Sequence, residues 1–149
     1  MKALPVDRNF LGIEAADSDP TTSGVIVVLA PFEATSSYGQ GSCDGPEAIL
    51  DASHQVEFFD AALGFVPYEA CGGIATLEPI ACEGCDGEAI ARKLRDAVAP
   101  WLPKGKFVIT LGGEHSSIVG AVQAHCEHFD DVTVLHFDAH TDLRPEYEG

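Results

Sequence analysis

Six consecutive apolar residues, Val25-Ile26-Val27-Val28-Leu29-Ala30, end at Pro31 and restrict the fold of this chain more than any other stretch. Four of the six are β-branched, which favours extended backbone, and no polar residue alternates with them. Such a strand must be covered on both faces, the habit of a parallel sheet flanked by helices. The run is too short for a bilayer, which needs about 20 residues.

The rest of the chain repeats this grammar. Pro46 is suited to the first turn of a helix, and Ile49, Ala52, Ser53, Val56 and Phe59 carry a helical stripe, predicting a helix over 46–61. Residues 64–85 contain Gly72-Gly73 and Pro79 and are expected to be irregular, with a short strand over 74–77. Ile90, Leu94, Val98 and Trp101 predict a helix over 87–102, stopped by Pro103-Lys104-Gly105. A second strand is expected over 107–111, a helix over 116–129 on a Val119, Val122 and Cys126 face, and a third strand over 131–137. Strand and helix in alternation predict one α/β domain over 1–149 with a mainly parallel sheet and an irregular segment over 1–23.

Composition narrows the partners. The chain has 149 residues, 46% of them hydrophobic, enough for a packed core. Eight basic against 24 acidic residues give a formal charge of −16, a field that repels phosphate backbones and anionic lipid. Nucleic acid and membrane are therefore not expected partners; the charge serves solubility first and could also draw in a small cation. Residues 1–24 lack a continuous apolar core of the secretory type, and five cysteines are an odd number, so reduced thiols in the cytoplasm are expected. Cys82-Glu83-Gly84-Cys85 has no second pair to complete a zinc site and is expected to be a pair of loop thiols.

Two motifs carry the chemistry. Gly112-Gly113-Glu114-His115-Ser116 follows the second predicted strand, its glycines suited to tight turning, and Asp138-Ala139-His140-Thr141-Asp142 follows the third. The carboxyl ends of parallel strands share one edge of the sheet, where open α/β sheets bind ligands. In extended chain Asp138, His140 and Asp142 project to one side. Crowding them there costs several kcal/mol unless a cation neutralises them. With His115 the donors are two imidazoles and two carboxylates, a set suited to manganese or magnesium rather than to structural zinc. His136 shares the parity of Asp138 but is expected one step deeper, as a hydrogen-bonded interior histidine, and Glu114 is expected to support the ligands rather than to be one. His54 has no partner near in sequence, and His125 and His128 are expected at the surface.

These residues resemble the arginase/agmatinase ureohydrolase family. The likeness rests on residues 112–116 and on Leu135-His136-Phe137-Asp138-Ala139-His140-Thr141-Asp142-Leu143-Arg144. Upstream it extends to Ala30-Pro31-Phe32-Glu33, Ser37-Tyr38, Gly41 and Gly45-Pro46-Glu47-Ala48-Ile49. Leu143-Arg144-Pro145-Glu146-Tyr147 looks more like agmatinases than arginases. The resemblance implies a three-layer αβα fold, two Mn²⁺ ions per complete site, and hydrolysis of a guanidinium group to urea and an amine. Agmatine yielding putrescine, a step of polyamine biosynthesis, is the leading reaction; guanidinobutyrase, formiminoglutamase and arginase activities are the alternatives. A non-catalytic, half-length metal-binding protein needing a partner is the non-enzyme alternative.

Carried over residue by residue, the resemblance makes His115 a ligand of one manganese and His140 of the other. Asp138 would bridge the two, and Asp142 would join His115. A further Asp-rich motif of the family, which supplies the remaining ligands, has no counterpart in these 149 residues, so the chain is expected to be the N-terminal half of such an enzyme. The same resemblance implies a homo-oligomer for the full-length protein. The motifs identify ligands but no catalytic acid or base.

Overall fold

A computed structural model describes residues 1–36 and 38–142. Its elements in chain order are β1 (Val25–Ala30), α1 (Gly45–Ser53), α2 (Pro67–Ala70), β2 (Ile74–Thr76), α3 (Gly87–Val98), β3 (Phe107–Gly112) and α4 (Val119–His128), with short 3₁₀ turns between them. The described strands form one parallel sheet of order β2-β1-β3, in which Val25 pairs with both Ile74 and Phe107, and Ala30 with Gly112.

All six residues of β1 are buried, as its unbroken apolar run requires. Ile26, Val28 and Ala30 pack on one face with Ile90, Leu94 and Val98 of α3 and Ala121 and Ala124 of α4. Val27 and Leu29 face the other way, onto Leu4 and Leu50. Helix, sheet, and helix with N-terminal segment are thus three layers, the expected αβα architecture.

Both faces hold because their local structure is capped and satisfied. Asp86 caps α3, its carboxylate accepting the Ala89 N–H at 2.7 Å, and Ile90, Leu94 and Val98 form the buried stripe the period predicts. The N-terminal segment has a single 3₁₀ turn, Phe10–Gly12, and is held by side-chain hydrogen bonds. Asn9 is fully buried, donates from Nδ2 to the Ile13 carbonyl at 2.8 Å and accepts the Ile13 N–H at 3.1 Å. Asn9→Ala strands both backbone groups and is expected to cost about 1–3 kcal/mol in urea denaturation. Asn9→Asp, which keeps only the acceptor, should fall between it and the parent.

Three sequence expectations are corrected. Helix α1 stops at Ser53 rather than running to residue 61, and it buries Pro46, Leu50 and Ser53 while Ile49, Val56 and Phe59 stay exposed. The small cluster beneath α1 offers nothing for a longer stripe to cover, and the His54 ring instead bonds the Asn9 carbonyl at 2.7 Å. Helix α4 buries Gly120, Ala121 and Ala124 rather than the Val119, Val122 and Cys126 face, because it lies so close to α3 that only small residues fit. Residues 131–137 form no strand; Val134, Leu135 and Phe137 are exposed, and no neighbouring strand pairs with them among the described residues. No helix among the described residues is long and apolar enough to cross a membrane.

Candidate metal centre

The chain leaves the carboxyl end of β3 through Gly112-Gly113, and the reason for the glycines differs from the expected one. Neither has a positive φ. A Cβ on Gly113 would lie 2.1 Å from the Phe32 carbonyl oxygen, and one on Gly112 would lie 2.7 Å from the Ser117 hydroxyl. Close approach, not turning, excludes a side chain here. The Gly113 N–H donates to the Ala30 carbonyl at 3.0 Å, which ties the exit of β3 to the end of β1 and sets His115 at the sheet's edge.

Glu114 acts as a strut. It accepts the Ala34 and Thr35 N–H groups, each at 2.7 Å, and the Thr35 hydroxyl at 2.7 Å. Burial pushes its carboxyl up, but the hydrogen bonds from Ser116 and Thr35 outweigh it, and the group lies below its ordinary range. The supporting role expected of Glu114 is therefore visible as the anchoring of the loop after β1 beside His115.

Glu33 organises the same loop, accepting the Gly41 N–H at 2.9 and 3.1 Å and the Ser36 hydroxyl at 3.0 Å. The Gly41 hydrogen bonds lead in holding its carboxyl down to about 2 from 4.5, against the opposing push of burial. A depressed folded-state pKa stabilises the loop fully above the unfolded value, and this contribution is lost as pH falls from 4.5 toward about 2. Hydrogen exchange at the Gly41 amide, corrected for intrinsic rates, should lose protection across that window, and Glu33→Gln should remove the pH dependence.

The second motif meets the first at His115. His115 Nε2 lies 3.2 Å from Asp142 Oδ2 and Nδ1 lies 3.6 Å from Asp138 Oδ2. His136 Nε2 lies 3.7 Å from Asp138 Oδ2 and 4.0 Å from Asp142 Oδ2, its ring 5.2 Å from that of His115. Together His115, His136, Asp138 and Asp142 offer ligand atoms that all lie within 4.8 Å of one another. Of the four residues singled out by sequence, His115, Asp138 and Asp142 are thus brought together. His140 is not in this group; its side chain is 82% exposed and its Nδ1 lies 3.5 Å from Asp138 Oδ1.

Local geometry explains the arrangement. Asp138 Oδ1 accepts the His140 N–H at 2.8 Å, an Asx turn that folds the chain back immediately after the aspartate. Asp142 has a left-handed φ of 50°. The motif is therefore a turn rather than an extended segment, and its period-two projection does not hold. His136 is half-exposed rather than interior, since no strand pairs across residues 131–137 to make a rim above it. Its parity with Asp138 was the available signal. The His140 N–H leads in lowering the Asp138 carboxyl, burial opposes it, and the nearby His136 and His115 rings lower it further. His125 bonds the Ala121 carbonyl at 2.8 Å, and His128 meets the Phe129 ring edge-on, both away from this group. Ser37 and residues 143–147, which carried part of the family resemblance, lie outside the described residues.

The donors suit a divalent ion. Ligand bonds of about 2.1 Å set adjacent donors roughly 3 Å apart and opposite ones roughly 4 Å apart. The His–Asp separations of 3.2 to 4.0 Å fall in that range. Imidazole with carboxylate is a mixed nitrogen and oxygen donor set of the kind that holds divalent first-row metals.

A parallel αβα layer with this His and Asp group at the carboxyl edge of its strands defines a class, and the chain belongs to the arginase family, whose model matches residues 23–149. Within that family the N(1)-aminopropylagmatine ureohydrolase of Synechocystis sp. is 40% identical over 147 residues, covering 95% of this chain and 47% of that protein. The agmatinase of Bacillus anthracis is 34% identical, over 96% of this chain and 49% of its own. The crystal structure of agmatine ureohydrolase of Thermoplasma volcanium superposes with a TM-score of 0.76 at 31% identity, covering 90% of this chain and 44% of that one. The chain spans about half the length of the curated relatives it matches.

Proposed function

We propose that this chain supplies the nucleus of the metal centre of a manganese-dependent ureohydrolase that hydrolyses a guanidino compound, agmatine being the leading substrate, to urea and an amine. The observation that carries the reading is the convergence of His115, Asp138 and Asp142 at a strand-end edge in a member of the arginase family. His115, Asp138 and Asp142 would hold one Mn²⁺, and Asp138 and His140 would face a second. A bound pair of Mn²⁺ ions would lower the pKa of water and supply positive charge where the planar guanidinium carbon becomes tetrahedral.

The chain's own groups prepare that chemistry. The Asx turn and the neighbouring imidazoles keep Asp138 ionised, so its charge is available without a proton to displace. Glu114 holds the loop after β1 beside His115, and Glu33 fixes that loop's own shape. The formal charge of −16 favours a small cationic guanidino substrate over an anionic one. The proposal extends to a cytoplasmic location, in keeping with five free thiols, and to the homo-oligomer that the family resemblance implies for the whole protein.

A second substrate, N(1)-aminopropylagmatine, is favoured by one observation: the Synechocystis relative bearing that name is 40% identical, against 34% for the Bacillus agmatinase. Urea release by the full reading frame, loaded with Mn²⁺ and offered agmatine, N(1)-aminopropylagmatine, guanidinobutyrate and arginine, separates these readings. Turnover of either agmatine compound supports the proposal. Absence of urea from every compound would refute it and favour a metal-binding protein without catalysis.

A further inference from the structure

The connection between β2 and α3 contains a second chemical feature, independent of the metal centre. Cys82, Glu83, Gly84 and Cys85 form a hydrogen-bonded turn, the Cys85 N–H donating to the Cys82 carbonyl at 3.1 Å with Gly84 at φ +67°. The first and last Cα atoms of such a turn lie within about 7 Å, close to the 4.4–6.8 Å span of a disulfide. Lys93, one turn and a half into α3, donates from Nζ to Cys85 Sγ at 3.2 Å and also to the Ala81 carbonyl, which holds the ammonium in place. Cys82 Sγ points to the Ile80 carbonyl at 3.2 Å, and both cysteines pack against the edge of the larger core cluster. Loop thiols of no particular consequence need neither the turn nor the fixed ammonium.

We propose that Cys82 and Cys85 form a reversible dithiol–disulfide pair, with Cys85 as the attacking sulfur and Lys93 as the cation placed against it. The co-reactant is a low-molecular-weight disulfide, RSSR. The Cys85 sulfur attacks one sulfur of RSSR, forming a mixed disulfide and releasing RS⁻, which takes up the proton Cys85 has shed. The Cys82 sulfur then attacks Cys85 Sγ, closing the protein disulfide and releasing the second RS⁻, which takes up the Cys82 proton. Two protein thiols are oxidised and RSSR is reduced to two RSH.

The order of the two sulfurs follows from their surroundings. Burial, then the neighbouring Cys85 sulfur, pushes the Cys82 thiol up, and Lys93 only partly opposes this. Cys82 is therefore the less ready of the two to attack, and Cys85 is the sulfur with the Lys93 ammonium 3.2 Å away. Closure would cross-link the segment that leads from the sheet into α3, the helix that covers β1.

The test equilibrates the 149-residue chain with glutathione and glutathione disulfide in graded ratios, quenches with acid, alkylates, and maps each thiol by mass spectrometry. The expected result is a Cys82–Cys85 disulfide, with the exposed Cys71 and Cys126 as internal references. Cys82→Ala should stop at a mixed disulfide on Cys85, and adding Lys93→Met should slow its formation roughly tenfold without changing Cys71. Lys93 is exposed, so its replacement leaves the core intact. Cys82 and Cys85 remaining reduced at every ratio, or Cys85 reacting no faster than Cys71 and indifferent to Lys93→Met, would overturn the proposal.

Discussion

Asp138→Asn in the full-length protein is expected to lower Mn²⁺ affinity by more than about 100-fold and to abolish measurable urea release. The asparagine keeps the size of the side chain and can still accept the His140 N–H that closes the turn, so the backbone should survive. What disappears is the negative charge lying 3.6 Å from His115 Nδ1 and 3.7 Å from His136 Nε2, the one carboxylate among the described residues that faces both rings and His140 as well. Losing a group that merely orients a ligand costs about 10–100-fold in affinity, and loss of a ligand's charge exceeds that. Manganese titration by electron paramagnetic resonance measures it directly. Asp131→Asn, just past α4 and outside the donor group, should leave uptake unchanged. Equal Mn²⁺ affinity in the Asp138 variant and its parent would refute the assignment.

Gly120→Ala is expected to destabilise the fold by about 3 kcal/mol, a large effect for one methyl group. Its Cβ would lie 2.1 Å from the Ala91 carbonyl oxygen and 2.9 Å from the Arg95 nitrogen, both backbone atoms of α3. No side-chain rotation relieves such a clash, so α4 must move away from α3 and release Ala121 and Ala124 from the core they share with Leu94. Intrinsic helix propensity favours alanine by about 1 kcal/mol and works against this loss without cancelling it. Gly87→Ala at the start of α3 meets nothing within 4 Å and should be neutral or stabilising by about 0.5 kcal/mol. Paired urea melts measure both. A Gly120 variant as stable as its parent would mean that the two helices do not pack this closely.

The two variants probe features of unequal legibility. Asp138 stood out in the sequence because ionisable groups at spacing two after a predicted strand are hard to explain without a cation. Gly120 was not, since a glycine within a helical stretch carries no sign of what lies opposite. The larger Val119 and Val122 drew the predicted buried face toward themselves, whereas the separation of α3 and α4 selects the smallest residues. The structure sets His136 beside His115 and leaves His140 exposed for a related reason. Period-two reasoning assumes extended backbone, and the Asp138 side chain replaces it with a turn.

From the residues alone came the buried first strand, the alternation of its strands with helices as far as α4, the parallel sheet, and the His115 motif at its carboxyl edge. All of these rest on local pattern: β-branched runs, a 3.6-residue period, and donors close together along the chain. Tertiary structure alone decided where α1 stops, which face of α4 is inside, why Gly113 must lack a side chain, and which imidazole stands nearest the Asp138 and Asp142 carboxylates. Each of these depends on the distance between segments remote in sequence, such as Gly113 and Phe32 or His115 and Asp142, and the order of residues does not encode that distance until the chain has packed.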